Sequence, residues 1–518
     1  MSINTLIIRL ELAVLGFVLA VLLLSALDRN TQGSLETVEQ YQEIQLAEDV
    51  QQEIRDVPKK MFADVHVPPR EREIWLGDLD GILERGQLRV LLSFSPTFFF
   101  QAKGQKMGLS TEILKRYEQF LNDQVVLGDK KMKLVFLPTP QERLLADLLA
   151  GKGDIVAADI QIQPAQKKQV KYISPVALEI QEVLVTRPDA AQFKSIFNLS
   201  GQKITVRANS PYAASLQELN NTLTSIGRKP VVIQEADPFL KDENLLEMTA
   251  AGLLPMTVID SHVGKFWSTI LHNIQLHKKI ALRTAKELTW AIRADNILLE
   301  ESIKYFKKND YFPQNAHQAL TEYYRKRGDF LKNNLELGPL EHYQSMQAFF
   351  EKYGKKYHFP PLLLAALAFQ TSEFDPEFIG KNRAVGVMGL DPSAILQEGL
   401  KTDLKKIREP AYNIETAARY LRFLIDRYFS SPTLSKLDQT LMALAAYKAN
   451  PEQVTAARKK AALAGYNPDI WFNHTENAFL SEDLGEYKNI AQYVGNIYKY
   501  SKAYEYFLAQ HQDQTQDR

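Results

Sequence analysis

The sequence predicts an α/β body followed by an all-α domain, set behind an N-terminal apolar helix. Three observations carry that order. Leu12–Leu27 is apolar except for Ser25. From Gly86 to about residue 310, short β-type runs alternate with helical stretches. From about residue 340 to 508 the strand signals vanish and only helical periodicity remains. The chain has 518 residues, 45% of them hydrophobic and 24% charged, enough for more than one buried core. Its 62 basic and 62 acidic residues cancel, so no bulk field favours nucleic acid as a partner. Cysteine is absent, which excludes disulfides, thiolate metal sites and cysteine nucleophiles. The nine histidines form no His-x3-His pair, so neither a metal site nor a cofactor is expected.

Taken in chain order, residues 1–30 read as a signal anchor. The apolar run of 16 residues makes about 24 Å of helix. Extended back to Leu6 it reaches 22 residues and about 33 Å, which spans a hydrocarbon core of about 30 Å, with Arg9 and Glu11 near one interface. A cleaved signal peptide needs small residues at −1 and −3, and Ala26 at −1 would leave Leu24 at −3. The expectation is a single uncleaved pass through the inner membrane, with the bulk of the chain in the periplasm. Residues 31–79 read as a polar helical spacer; residues 28–60 hold eight acidic against four basic side chains. The α/β body is placed at 80–310, a linker at 311–339, the helical domain at 340–508 and a disordered tail at 509–518.

Within the body, Leu88–Phe94, Lys133–Leu137, Ile155–Ile160, Lys203–Arg207, Val231–Gln234, Thr257–Asp260 and Glu287–Arg293 read as strands. Ser110–Leu121, Gln141–Leu149 and Asn296–Lys308 read as helices between and after them, which suggests a mainly parallel sheet. In the helical domain the segments are His342–Tyr357, Pro361–Ser372, Ile414–Tyr428, Leu437–Ala449, Pro451–Ala464 and Tyr487–Leu508.

The motifs of the body, in order, are Arg85-Gly-Gln-Leu-Arg-Val90, Gly104-x3-Gly108-Leu109, Leu148-x2-Gly151-Lys-Gly-Asp154 and Gln169-Val-Lys-Tyr-Ile-Ser-Pro175. Leu199-Ser-Gly-Gln-Lys203 with Ser210, and Val258-Ile-Asp260-Ser261, continue the series. This order resembles the periplasmic solute-binding proteins of family 3. The resemblance implies two α/β lobes joined by crossing strands, the second near 187–280, closing on an amino acid or similar ligand. The family's carboxylate clamp is an Arg, whose planar fork binds a carboxylate bidentately. The matching position here is Gln166. A neutral amide does not replace that charge, so tight binding of free α-amino acids is not expected. Asp260 falls where the family often meets a ligand ammonium, and Ser210 completes the expected cleft set. Phe98, Phe99 and Phe100 either line that cleft or pack the lobe, with core packing preferred.

The helical domain opens with Tyr353-Gly-Lys-Lys-Tyr-His-Phe-Pro-Pro-Leu-Leu-Leu and continues through Phe374-Asp375-Pro376, Ala384-Val-Gly-Val-Met388, Asn413-Ile414, Ala443–Ala449 and Tyr493-Val494. This resembles the lysozyme-like domain of soluble-type lytic transglycosylases. A binding domain followed by this domain behind a membrane segment resembles the membrane-bound lytic transglycosylase F family. That chemistry, as the resemblance implies it, needs one carboxylic acid at a helix end. It protonates the glycosidic oxygen, then as carboxylate takes a proton from the sugar's own hydroxyl. The family writes Gln-Glu-Ser-x-Phe-Asn-Pro where this chain writes Gln370-Thr371-Ser372-Glu373-Phe374-Asp375-Pro376. The catalytic position is therefore Thr371, whose hydroxyl is no acid near neutral pH. Glu373 is the one substitute acid at hand; two residues on along a helix turns it about 200° to the opposite face. The family's Met-Gln is Met388-Gly389, its Tyr-Asn is Tyr447-Lys448, and its Glu-Thr before the late Tyr493 is Asn489-Ile490. With Ser372 these make the expected glycan groove: packing residues kept, proton- and sugar-handling residues replaced. The reading is a membrane-anchored binding or scaffold protein with an inactive transglycosylase-like domain, its candidate partners peptidoglycan and an envelope protein. Two alternatives stand beside it: an active transglycosylase cleaving MurNAc-GlcNAc bonds to 1,6-anhydro products, and a periplasmic solute sensor.

Overall fold

The computed structural model describes residues 73–102, 105–124, 131–158, 160, 166–175, 179–208, 210–309, 340–380, 383–480 and 490–516. The expected anchor, the spacer up to residue 72, the linker from 310 and Asn489 lie outside the described residues. No helix among the described residues is long and apolar enough to cross a membrane.

The body begins with α1 (Leu79–Arg85), which stops at Gly86 in the left-handed region, φ 70°. Asp78 caps it, accepting from the Leu79 N–H at 2.7 Å, and the same carboxylate accepts from the N–H groups of Leu298 and Leu299 at the far end of the body. The first lobe is a five-stranded sheet of β1 (Gln87–Leu92), β4 (Lys133–Pro138), β5 (Ile155–Val156), β6 (Val170–Ile173) and β12 (Trp290–Arg293), in the order β4-β1-β5-β12-β6. β1 runs parallel to β4 and β5, while β12 is antiparallel to β5 and β6. A short hairpin, β2 (Phe100–Ala102) and β3 (Gln105–Met107), and the helices α2 (Leu109–Gln124) and α3 (Leu144–Leu149) complete it. Arg89 and Asp154, both fully buried, pair at 2.9 Å under the sheet; each charge survives burial because the other neutralises it.

β7 (Glu179–Thr186) then carries the chain away from that sheet into a second one. There it pairs antiparallel with β10 (Met256–Asp260) on one side and β11 (Gln275–Glu287) on the other. β8 (Lys203–Arg207) and β9 (Val232–Ala236) form a separate parallel pair. The helices are α4 (Pro211–Ser225), α5 (Asp242–Ala250) and α6 (Ser261–Trp267). β11 returns the chain to β12 in the first sheet, and α7 (Ile297–Lys308) ends the body. The expected parallel pairing therefore holds for β4, β1 and β5 of the first lobe and for the separate β8–β9 pair of the second. The second lobe's main sheet is antiparallel, because two of its three strands are the connections that cross between lobes in opposite directions.

The helical domain comprises α8 (Leu340–Tyr357), α9 (Pro361–Ser372), α10 (Pro392–Gln397), α11 (Pro410–Tyr428), α12 (Lys436–Lys448), α13 (Pro451–Leu463), α14 (Glu476–Leu480) and α15 (Ile490–Gln516). α9 is apolar on nearly every side, which suits a central helix packed all round. Pro361 starts it, and Glu373 and Phe374 end it with consecutive left-handed φ of 56° and 66°. The last helix runs to Gln516, through the segment where a frayed tail was expected from residue 509.

The helical core is continuous with the second lobe: Ala236, Leu240, Leu245 and Met248 are buried in the same cluster as Phe350, Leu364 and Tyr500. Phe239 stacks on Phe472 with centroids 4.9 Å apart, and the Tyr498 hydroxyl donates to Asp237 at 2.8 Å. Lys499 meets Glu247 at 2.5 Å with both side chains buried. The first lobe is held too, by Arg143 donating to the Gly465 carbonyl at 2.6 Å and by His474 against Glu142 at 3.2 Å.

Candidate functional site

Two sites are in view. The first is the helical groove. α9 brings Thr371 to its last turn, where its hydroxyl and that of Tyr493 on α15 lie 3.3 Å apart. Tyr493 is buried, and burial pushes its phenol above the usual tyrosine range. Gly389 closes the other side. A Cβ there would fall 2.2 Å from the Thr371 methyl, and its φ of 55° is left-handed, so glycine fits on both counts. Lys448, an exposed residue, sets its ammonium over the Tyr493 ring, 5.4 Å from the centroid; burial of that end lowers its pKa from the usual lysine value. The structure therefore gathers Thr371, Gly389, Lys448 and Tyr493, as the sequence suggested.

The remaining expected groove residues do other work. Ser372 is buried and donates to the Val387 carbonyl at 2.6 Å. Met388 is fully buried, not exposed to a glycan, and its carbonyl accepts from the Tyr447 hydroxyl at 2.8 Å. Burial also raises the Tyr447 phenol well above its ordinary value. Asn413, which the sequence reading passed over as a site residue, pins the same loop. It accepts from the Met388 N–H at 2.7 Å and donates to the Ile407 carbonyl at 2.6 Å. Three side chains thus fix one turn, 385–390, against the end of α9.

Glu373 is exposed. It is not on the helix, as the rotation argument assumed, but is the left-handed cap after it. Its carboxylate is felt by Tyr500, whose phenol is raised first by burial, then by Glu247 and last by Glu373.

The second site is the cavity between the two lobes, about 1030 Å³. Gln166 and Asp260 line it, as expected from the sequence. Ser210 does not: it is buried at the start of α4 and its hydroxyl accepts from the Ala213 N–H at 3.4 Å. Phe98 and Phe99 border the cavity, whereas Phe100 is buried in the core. Across its rim Glu243 of the second lobe accepts from the Thr97 hydroxyl at 2.6 Å and the Ser95 hydroxyl at 2.9 Å of the first, so the lobes touch. Arg207 is held by Asp242 at 3.1 Å, and that carboxylate keeps its guanidinium charged. Asn473 of the helical domain also lines the cavity and accepts from Lys241 at 3.3 Å. Sequence reasoning missed Glu182, fully buried on β7 and lining the cavity. The signal was there: an acidic residue between Ile180 and the apolar run Val183–Val185, on a strand where burial is costly unless the site uses it. No group of acidic and histidine side chains fit to hold a metal occurs among the described residues.

A two-lobed α/β body with a cleft between crossing strands, joined to a helical domain, defines a modular binding protein. The family model for bacterial extracellular solute-binding proteins, family 3, matches residues 88–359, more than half of the chain, and the chain belongs to that family. The transglycosylase SLT domain model matches residues 348–469. Among similar proteins, the membrane-bound lytic murein transglycosylase F of Pseudomonas fluorescens strain Pf0-1 is 28% identical over 405 residues, 76% of this chain and 78% of its own length. The protein of the same name from Shewanella halifaxensis is 28% identical over 397 residues, 75% and 78% of the two chains. Among solved structures, an ancestral cationic amino acid solute-binding protein is 22% identical with a TM-score of 0.39, covering 47% of this chain and 98% of that one.

Proposed function

We propose that this chain is a membrane-anchored periplasmic receptor and scaffold: its cleft holds a solute, and its helical domain engages peptidoglycan or an envelope partner without cutting glycan. One observation carries the reading. At the end of α9, where the transglycosylase resemblance calls for a carboxylic acid, stands Thr371, hydrogen-bonded to Tyr493 and packed on Gly389. Neither hydroxyl gives up or takes a proton readily near neutral pH, and a missing general acid/base alone costs about 10²–10⁴ in rate. Here one residue would have served both proton transfers. The domain order shared with proteins named membrane-bound lytic murein transglycosylase F supports a place on the peptidoglycan. The apolar run Leu12–Leu27 supports the anchor.

The same likeness favours the second reading, a working transglycosylase whose acid has moved. The test is direct. Full-length protein in detergent, incubated with purified sacculi, releases no 1,6-anhydromuropeptides above a blank, while the sacculi still pull the protein down. Thr371→Glu alone does not restore turnover, because Gly389 and Lys448 remain. Anhydro products that disappear in Glu373→Gln would establish the moved acid and overturn the scaffold reading.

A further inference from the structure

The cleft's chemistry narrows what it takes. Glu182 is fully buried, lines the cavity, and neither of its carboxylate oxygens has a hydrogen-bond partner. An ionised carboxylate left so is costly, unless a cation from outside the chain completes it. Asp260 stands directly opposite it on the neighbouring strand, so the two acidic side chains share one face of the sheet and both border the cavity. The Gln166 side-chain oxygen is a further buried acceptor with no donor.

Of the cations that line the cavity, both arginines already face carboxylates, while Lys241 donates to the Asn473 amide oxygen. Arg207 is forked onto Asp242, and Arg283 faces Glu218 at 3.4 Å. The start of α4, which faces the cavity, offers little as an anion site. Pro211 at its first position has no N–H, and the Ala213 N–H already donates to Ser210. Glu182 and the Gln166 oxygen lack donors here, while the two arginines have carboxylate partners.

We propose that the cleft takes a linear organic cation with two or more ammonium groups and no carboxylate, a polyamine-type ligand, in place of an α-amino acid. Glu182 receives one ammonium, with Asp260 beside it and the Gln166 oxygen accepting a further N–H. The inference rests on the reading of the two-lobed body as a solute receptor and specifies what that receptor binds.

The experiment is titration calorimetry on the full chain in detergent with four probes: cadaverine, spermidine, L-lysine and glutarate. Cadaverine and spermidine bind. L-lysine, which adds a carboxylate to the cadaverine skeleton, binds at least about tenfold more weakly, and glutarate gives no heat, because each carboxylate would enter a site of unpaired acceptors. Glu182→Gln keeps the shape, removes the charge and weakens cadaverine at least about tenfold. Gln166→Arg, which adds a cation from the opposite lobe, does the same and serves if the first variant misfolds. Preference for L-lysine or glutarate, or a cadaverine affinity unchanged in both variants, overturns the polyamine assignment and leaves the receptor reading standing. Silence from all four probes overturns the assignment and counts against the receptor as well.

Discussion

Substituting Gly389 by alanine tests whether the Thr371 groove is a packed structure or a vacated active site. The added Cβ meets the Thr371 methyl at 2.2 Å, well inside contact distance, and the backbone sits at φ 55°. Holding a non-glycine residue in the left-handed region costs about 1–2 kcal/mol. Forcing a methyl into an occupied space adds about 1–3 kcal/mol. Gly389→Ala should therefore destabilise the helical domain by about 2–5 kcal/mol, read by scanning calorimetry as a midpoint lower by several degrees. Thr371→Ser deletes the opposing methyl and keeps the hydroxyl that meets Tyr493; alone it should cost about 1 kcal/mol or less. In the double variant the steric part disappears and only the backbone part remains. The two changes should thus be coupled by about 1–3 kcal/mol in the stabilising direction. Additivity within about 0.5 kcal/mol would refute the reasoning, since it would mean that the two residues do not press on one another.

Two further outcomes follow from the same structure and one from the N-terminal sequence. Lys499→Met strands Glu247 in the interface between second lobe and helical domain and should cost about 3–5 kcal/mol at neutral pH, whereas Glu247→Leu with Lys499→Met recovers most of it. Burial already holds the Glu247 carboxyl above its ordinary range, so the Lys499→Met penalty should shrink as the pH falls and protonation removes the stranded charge; calorimetry over a falling pH series checks this. The Glu142 carboxyl is held below its ordinary value, first by its hydrogen bond from His474, so this contact stabilises above the unfolded-state value near 4.5 and is lost as the pH falls through the lower folded value. Hydrogen exchange at 465–474 should rise on acidification across that window, and Glu142→Gln should abolish the pH dependence. Fractionation should leave the full-length chain in the inner membrane, resistant to salt and alkali; a soluble chain beginning near Leu27 would contradict the anchor.

The parts of the fold that were legible in the sequence are those whose signals are local. α9 is legible with its observed bounds because Pro361 opens it, an apolar run extends through Phe369, and Phe374-Asp375-Pro376 follows its end. Lys203–Arg207 was read as it stands for the same reason, a short run between turn residues. β7 and β11 were not read. Gln275–Glu287 alternates Lys, His and Arg with apolar residues, and its pairing with β7 shifts register three times, so no simple period marks it. The docking of the helical domain was equally invisible. Phe239, Phe472 and Tyr498 look like ordinary core aromatics until the fold brings positions more than 200 residues apart into one stack.

The groove separates the two kinds of information more sharply. Thr371 and Gly389 each stand out in the sequence as departures from a resembling motif, with nothing to say that they touch. The structure packs them against one another. Gly389 turns through a left-handed φ at the point where a side chain would strike the Thr371 methyl. Asn413, Ser372 and Tyr447 hold that turn in place from three sides. A larger residue at 389 is therefore incompatible with threonine at 371 unless the whole 385–390 turn moves. Restoring a glutamate at 371 would meet a turn already shaped around a methyl, with a lysine over the neighbouring phenol. On this geometry the side chains at 371 and 389 share one space, so a change at either position is felt at the other.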